Sequence, residues 1–279
     1  MSSEKATESA AKSVLSYFNL SSHYERKARL LPGLLCVMTL LPVGAAFGTP
    51  LGSWMSLLAT GLGIWAVCGV GLSHLSSAGG NIYQEKLWPR WPYDAPTNLW
   101  LHPNNRTSSA QQKKQVNDAI KRLTSLDIEA AVQLGPDEVE AVLNDCIARL
   151  RHRLQSSDHA DRLDVHNADY GFARNFAGLR FVWLTFLILS VVGCWIGYAR
   201  YGSAVVWPAT STALAIVGVM VMFGLERYVR VRARHYTDSF FSAVLELDGA
   251  ENKTNSVAEA PAKPKRSPAR RKAGEPEVK

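Results

Sequence analysis

Residues 30–84 read LLPGLLCVMTLLPVGAAFGTPLGSWMSLLATGLGIWAVCGVGLSHLSSAGGNIYQ, without one Asp, Glu, Lys or Arg. No water-soluble domain keeps so long a stretch free of charge. A bilayer core of about 30 Å needs about 20 apolar helical residues, and this stretch holds two such runs, Leu30 to Phe47 and Leu51 to Leu72, joined by a turn at Gly48 to Gly52. Two more follow, Leu179 to Tyr198 and Val205 to Leu225, again as a pair. The pattern predicts an all-α polytopic membrane protein. Four transmembrane helices form two hairpins, with a cytosolic helical module between them.

The segments are a cytosolic amphipathic N-terminal segment (1–29), hairpin 1 (30–73), the module (74–178), hairpin 2 (179–225), a juxtamembrane helix (226–249) and a disordered basic tail (250–279). The competing identity for the first span is a secretory signal. The acidic residues Glu4, Glu8 and Glu25 ahead of it make a poor n-region for one. Orientation follows the basic residues near the span ends. Arg26, Lys27 and Arg29 precede span one, Arg174 and Arg180 precede span three, and Arg227, Arg230, Arg232 and Arg234 follow span four. All fall on one side, so both termini and the module are expected in the cytoplasm of a cell inner membrane. Almost nothing is left outside, which argues against an extracellular receptor or a periplasmic enzyme.

Pro42 is expected to bend the outer end of span one. The second helix is expected to run into the cytosol as far as the double glycine at Gly79 and Gly80. Beyond it, Tyr83, Trp88, Trp91 and Trp100 crowd among Pro89, Pro92, Pro96 and Pro103, which forbid a long helix there. Such rings suit the headgroup level of a membrane or, alternatively, a docking surface for a partner. Ser108 or Ser109 is placed to cap a helix reaching about Leu126, and Pro136 to open another. In the latter, Val139, Leu143, Cys146, Leu150 and Leu154 alternate by four and three. That stripe needs a partner, from the same chain or from a second subunit.

The spans carry no ionisable residue away from their ends, which disfavours an ion-coupled transporter. They do carry small residues that let helices approach closely: Ser56, Thr60, Gly63 and Gly71 on span two, and Ser190, Gly193 and Gly197 on span three. They pack helices within one subunit or join copies into a homo-oligomer. The chain lacks a P-loop, CxxC pairs and HExxH. No catalytic, cofactor-binding or metal-ligating residue is assigned, no cofactor is expected, and an enzyme is not. One polar cluster stands before span three, where His166, Asp169, Tyr170 and Arg174 would share a helical face. A metal or phosphate site is one use of it. The plainer use has Asn167 capping the helix, Tyr170 anchoring at the interface and the arginines setting orientation. The four cysteines show no disulfide or metal spacing.

Much of the formal net charge of +7 sits in the tail, at Lys263, Lys265, Arg266, Arg270, Arg271 and Lys272. A tail of this kind lies against anionic lipid, and nucleic-acid binding is not expected. In topology alone the chain resembles the four-span membrane effectors of bacterial antiviral systems. That resemblance implies an oligomeric effector or pore controlled by its cytosolic module or by a partner. The alternative is a constitutive scaffold that holds a cytosolic partner at the bilayer.

Overall fold

The computed structural model describes residues 22–47, 62–106, 108–157 and 160–258, and the described residues form helices without a strand. In chain order we label α1 (Glu25–Ala46), α2 (Leu62–Leu87), α3 (Pro96–Leu101), α4 (Ala110–Thr124), α5 (Ile128–Leu134), α6 (Pro136–Gln155), α7 (Ala160–Gly178), α8 (Arg180–Tyr201) and α9 (Val206–Ala258). Three helices are long and apolar enough to cross a membrane: α1, α8 and the Val206–Lys253 part of α9. Of the predicted second span, residues 51–61 lie outside the described residues, and α2 begins at Leu62. The amphipathic helix expected before Ser22 and the basic residues from Lys263 onward also lie outside them.

α1 opens on a π-helical turn, Glu25–Leu30, and is interrupted at Thr39 and Leu40. Pro42 sits in the first turn of the portion that follows, as its missing donor requires. The double glycine does not end α2, which continues through Gly79 and Gly80 to Leu87. Both glycines serve as contact points instead. A side chain on Gly178 would run into the backbone of Gly79 and Gly80, so α2 and α7 cross with their main chains touching. A Cβ on Gly171 would meet side chains instead, the Ala28 methyl at 2.8 Å and the Tyr24 ring and hydroxyl just beyond it. These three helices therefore pack on glycine, the close approach that small residues permit.

Beyond the spans the chain builds two adjoining cores. The distal one buries the α6 stripe Val139, Leu143, Cys146, Leu150 and Leu154 with Val116 and Ile120 of α4 and Phe240 and Val244 of α9. The stripe's partners thus belong to its own chain. Local signals set the helix ends: Ser109 accepts from the Gln112 N–H at 3.2 Å, and Asp127 accepts from the amides of Glu129 and Ala130. Gly135 takes φ 125° between α5 and α6, a conformation that favours glycine, and Pro136 opens α6. The proximal core joins Tyr83 and Trp88 to Tyr170, Phe176, Leu225 and Val229. Tyr236 packs against both cores.

Two expected boundaries are absent. α9 runs unbroken for 53 residues, so nothing separates the last span from the segment 226–249. Residues 250–258, assigned above to a disordered tail, continue that helix. At 1.5 Å per residue α9 is about 80 Å long, far beyond a bilayer. Its apolar half exposes Val217, Met220 and Phe223, while its other half buries Phe240, Val244 and Leu247. A single rod belongs to both environments.

Candidate membrane-surface cleft

The polar cluster before α8 sits where α1, α2, α7 and α9 converge. Tyr170 Oη donates to Gln84 Oε1 at 3.2 Å, and Arg174 Nη1 donates to the same oxygen at 2.7 Å. Asn175, fully buried, donates to the Ala28 carbonyl at 2.7 Å and accepts from Arg174 Nε at 3.2 Å. Asp169 pairs with Lys27 of α1 and, at 3.4 Å, with Arg232 of α9. These bonds tie the N-terminal end of α1 to α7 and α9, and a buried amide left unpaired here costs about 1–3 kcal/mol. Burial pushes the Tyr170 hydroxyl upward, so it stays a neutral donor. Tyr236 is pushed up in the same way, against the pull of Arg151.

Asn167 is not a cap, since α7 begins at Ala160 and passes straight through it. Before it, Leu163 is buried in the distal core, and the helix starts two turns earlier than Asn167. His166 is half-buried, with its ring 6.5 Å from that of His235 and its Nδ1 without a hydrogen-bond partner among the described residues. No grouping of three or more His, Cys, Asp or Glu able to hold a metal occurs among the described residues.

The aromatic segment divides. Tyr83 and Trp88 are buried in the proximal core. Trp100 stacks on Phe241 with ring centroids 4.0 Å apart. Trp91, Tyr93 and Leu99 remain exposed. Buttressing the segment, Arg90 pairs with Asp94 at 2.9 Å and with Glu140 at 2.8 Å, and Asn98 donates to the Pro92 carbonyl.

Of the recesses that open beside it, two are bordered by α9 as well. The larger, about 470 Å³, lies between Trp88, Leu99 and Trp100 on one wall and Arg230, Arg234 and Asp238 of α9 on the other. The smaller, about 200 Å³, is bordered by Gln84, Arg151, Tyr170, Arg174 and Tyr236. Arg230, Arg234 and Asp238 were not singled out from the sequence for binding. Their spacing of four places them on one helical face and was the available signal.

The packing candidates also divide. A Cβ on Gly193 would meet Val43 at 3.0 Å and one on Gly197 would meet Ala46 at 3.1 Å, so this GxxxG step seats α8 on α1 of the same chain. Ser190 is buried beside it. Among the described residues nothing lies within 4 Å of the position a Cβ on Gly71 would take. Gly63 lies in the first turn of α2, and Ser56 and Thr60 lie outside the described residues. Comparison of the chain with protein-family models, with curated proteins and with solved structures finds no match in any of the three. The cleft stands on its geometry: an arginine-walled, aromatic-lined opening beside the ends of apolar helices.

Proposed function

We propose that the chain is a four-span protein of a cell inner membrane, with both termini cytoplasmic, acting as a homo-oligomeric effector. In this reading its cytosolic module receives a signal or a partner and passes the change to the spans. The observation that carries it is the unbroken α9, apolar and exposed at Val217, Met220 and Phe223, and packed into the distal core at Phe240 and Val244. A continuous helix transmits displacement without a hinge, so rearrangement of α4–α6 around Phe240 moves the span. The Gly193–Gly197 face is occupied within the subunit, which leaves the exposed faces of α8 and α9, including Ile196 and Met220, for contact with lipid or with other copies. The resemblance to antiviral effectors supplies the class of output, a perturbed bilayer.

The test measures membrane potential with a voltage-sensitive dye while the chain is overexpressed, alone and with its neighbouring genes, beside an unrelated four-span protein at the same level. Depolarisation is expected from the native chain and not from Arg227→Pro, which breaks α9 between its two halves. A potential equal to the control's defeats the effector reading. The scaffold reading would then stand, favoured by the exposed Trp91, Tyr93 and Leu99 as an anchoring surface for a cytosolic partner.

A further inference from the structure

The larger recess is placed and charged for a lipid headgroup. Arg230 lies five residues beyond Leu225, the end of the charge-free run, or about 8 Å along the helix axis. The headgroup layer extends about 5–8 Å beyond the hydrocarbon on each side. Helical side chains lean toward the N-terminus, here toward the bilayer, so both arginines reach back toward the headgroup layer, with Arg234 one turn, about 6 Å, beyond Arg230. Among the described residues Arg230 is engaged only by Glu226 of its own helix, at 3.0 Å, with both side chains about half exposed. Such a pair holds weakly. Arg234 has no ion pair among the described residues. Two arginines thus line a recess with Trp88, Leu99 and Trp100 opposite, and guanidinium groups match phosphate geometry.

Asp238 decides the headgroup. A carboxylate one turn beyond Arg234 opposes a purely anionic occupant but suits one that carries an amine beyond its phosphate. The wall runs the same way, from Trp88 in the proximal core to Trp100, which stacks on Phe241 of the distal core. We propose that this recess binds the headgroup of an amine-bearing glycerophospholipid from the adjoining leaflet, its phosphate on Arg230 and Arg234 and its ammonium toward Asp238. The proposal rests on Val206–Leu225 crossing the bilayer. No other part of the functional reading is needed.

The full-length chain, purified in mild detergent, is mixed with short-chain phosphatidylethanolamine, short-chain phosphatidylglycerol, free phosphoethanolamine or inorganic phosphate, and bound lipid is counted by native mass spectrometry. Phosphatidylethanolamine is expected to be retained about tenfold better than phosphatidylglycerol, and Arg234→Gln to lower its retention about tenfold, the size of one charge-assisted hydrogen-bonding group. Asp238→Asn should erase the preference between the two lipids. Leu99→Trp, which fills the recess without changing a charge, should block both, and its melting temperature reports whether it folds. Arg227→Gln, on the same helix and outside the recess, should change nothing. Equal losses for Arg227→Gln and Arg234→Gln overturn the site in favour of general attraction to lipid. Free phosphoethanolamine bound as well as the lipid overturns the leaflet as its source. Release of the native chain from membranes by alkaline carbonate refutes the spanning reading itself, separately from these results.

Discussion

Gly178→Ala tests the contact on which the inner half of the structure is built. The new methyl would overlap the Gly79 carbonyl carbon and the Gly80 nitrogen, both main-chain atoms that no rotamer change can remove. α2 and α7 would have to separate, which strains the neighbouring bond from Asn175 to the Ala28 carbonyl. Overpacking costs about 1–3 kcal/mol and weakening a buried amide bond about 1 kcal/mol more, while the helix preference of alanine over glycine returns about 1 kcal/mol. The net is a loss of about 2 kcal/mol, or a fall in Tm of about 4–8 °C for a chain of this size. Gly71→Ala is the reference: it lies on α2 as well, but its methyl would meet nothing within 4 Å among the described residues, so its Tm should hold or rise. Melting both variants in the same detergent, followed by tryptophan fluorescence, decides the matter. Equal melting temperatures would show that the crossing is not held by main-chain contact at Gly178.

Gly193→Leu with Gly197→Leu should lower Tm by about 5 °C or more by pushing α8 off Val43 and Ala46, while the oligomer mass in detergent stays unchanged; a reduced mass would place the step between subunits. Burial pushes the Cys146 thiol from 9.0 to about 11, so the folded chain holds its proton more tightly than the unfolded chain. Stability should therefore fall as pH rises from about 9 to about 11, and a Cys146→Val variant should lose less over that range when the two are unfolded in denaturant. Arg122 grips Asp248 through two bonds of 2.8 and 2.6 Å, linking α4 to α9; a double-mutant cycle to alanine should give a coupling of about 1 kcal/mol, since the arginine is half exposed. With the native cysteines replaced, a cysteine at position 111 should escape an impermeant maleimide in intact cells, and its labelling would reverse the topology.

The helical class and the apolar helices were legible because charge-free runs and basic flanks are strong, local signals. The α6 stripe was equally plain, down to Leu143 and Leu150, since periodicity reports a buried face. It does not report which helix covers that face, so the choice between a second subunit and α3, α4, α5 and α9 awaited the fold. Gly79 and Gly80 look like a breaker when judged by backbone freedom; only the crossing of α7 explains why glycine is required inside a helix there. The cleft was half visible. Tyr170 and Arg174 stood out as a cluster, but Gln84, which receives both, lies 86 and 90 positions away. Arg230 and Arg234 passed for orientation signals because the inside rule already accounted for them.

Arg180 lies with its guanidinium 4.7 Å from the centre of the Tyr83 ring and 4.6 Å from that of Phe181, while at the other end of α8 Tyr201 packs on Phe47 with ring centroids 5.4 Å apart. Those two anchors are 21 residues apart, about 32 Å of helix and nearly the thickness of an average hydrocarbon core. α8 is thus matched to the bilayer with little slack. In a thinner bilayer it must tilt, and because the adjoining Gly178 is locked against the main chain of α2, the tilt has to be taken up at Leu179 or passed into the cleft. Hydrophobic thickness becomes an input to the half of the molecule that lies outside the apolar helices.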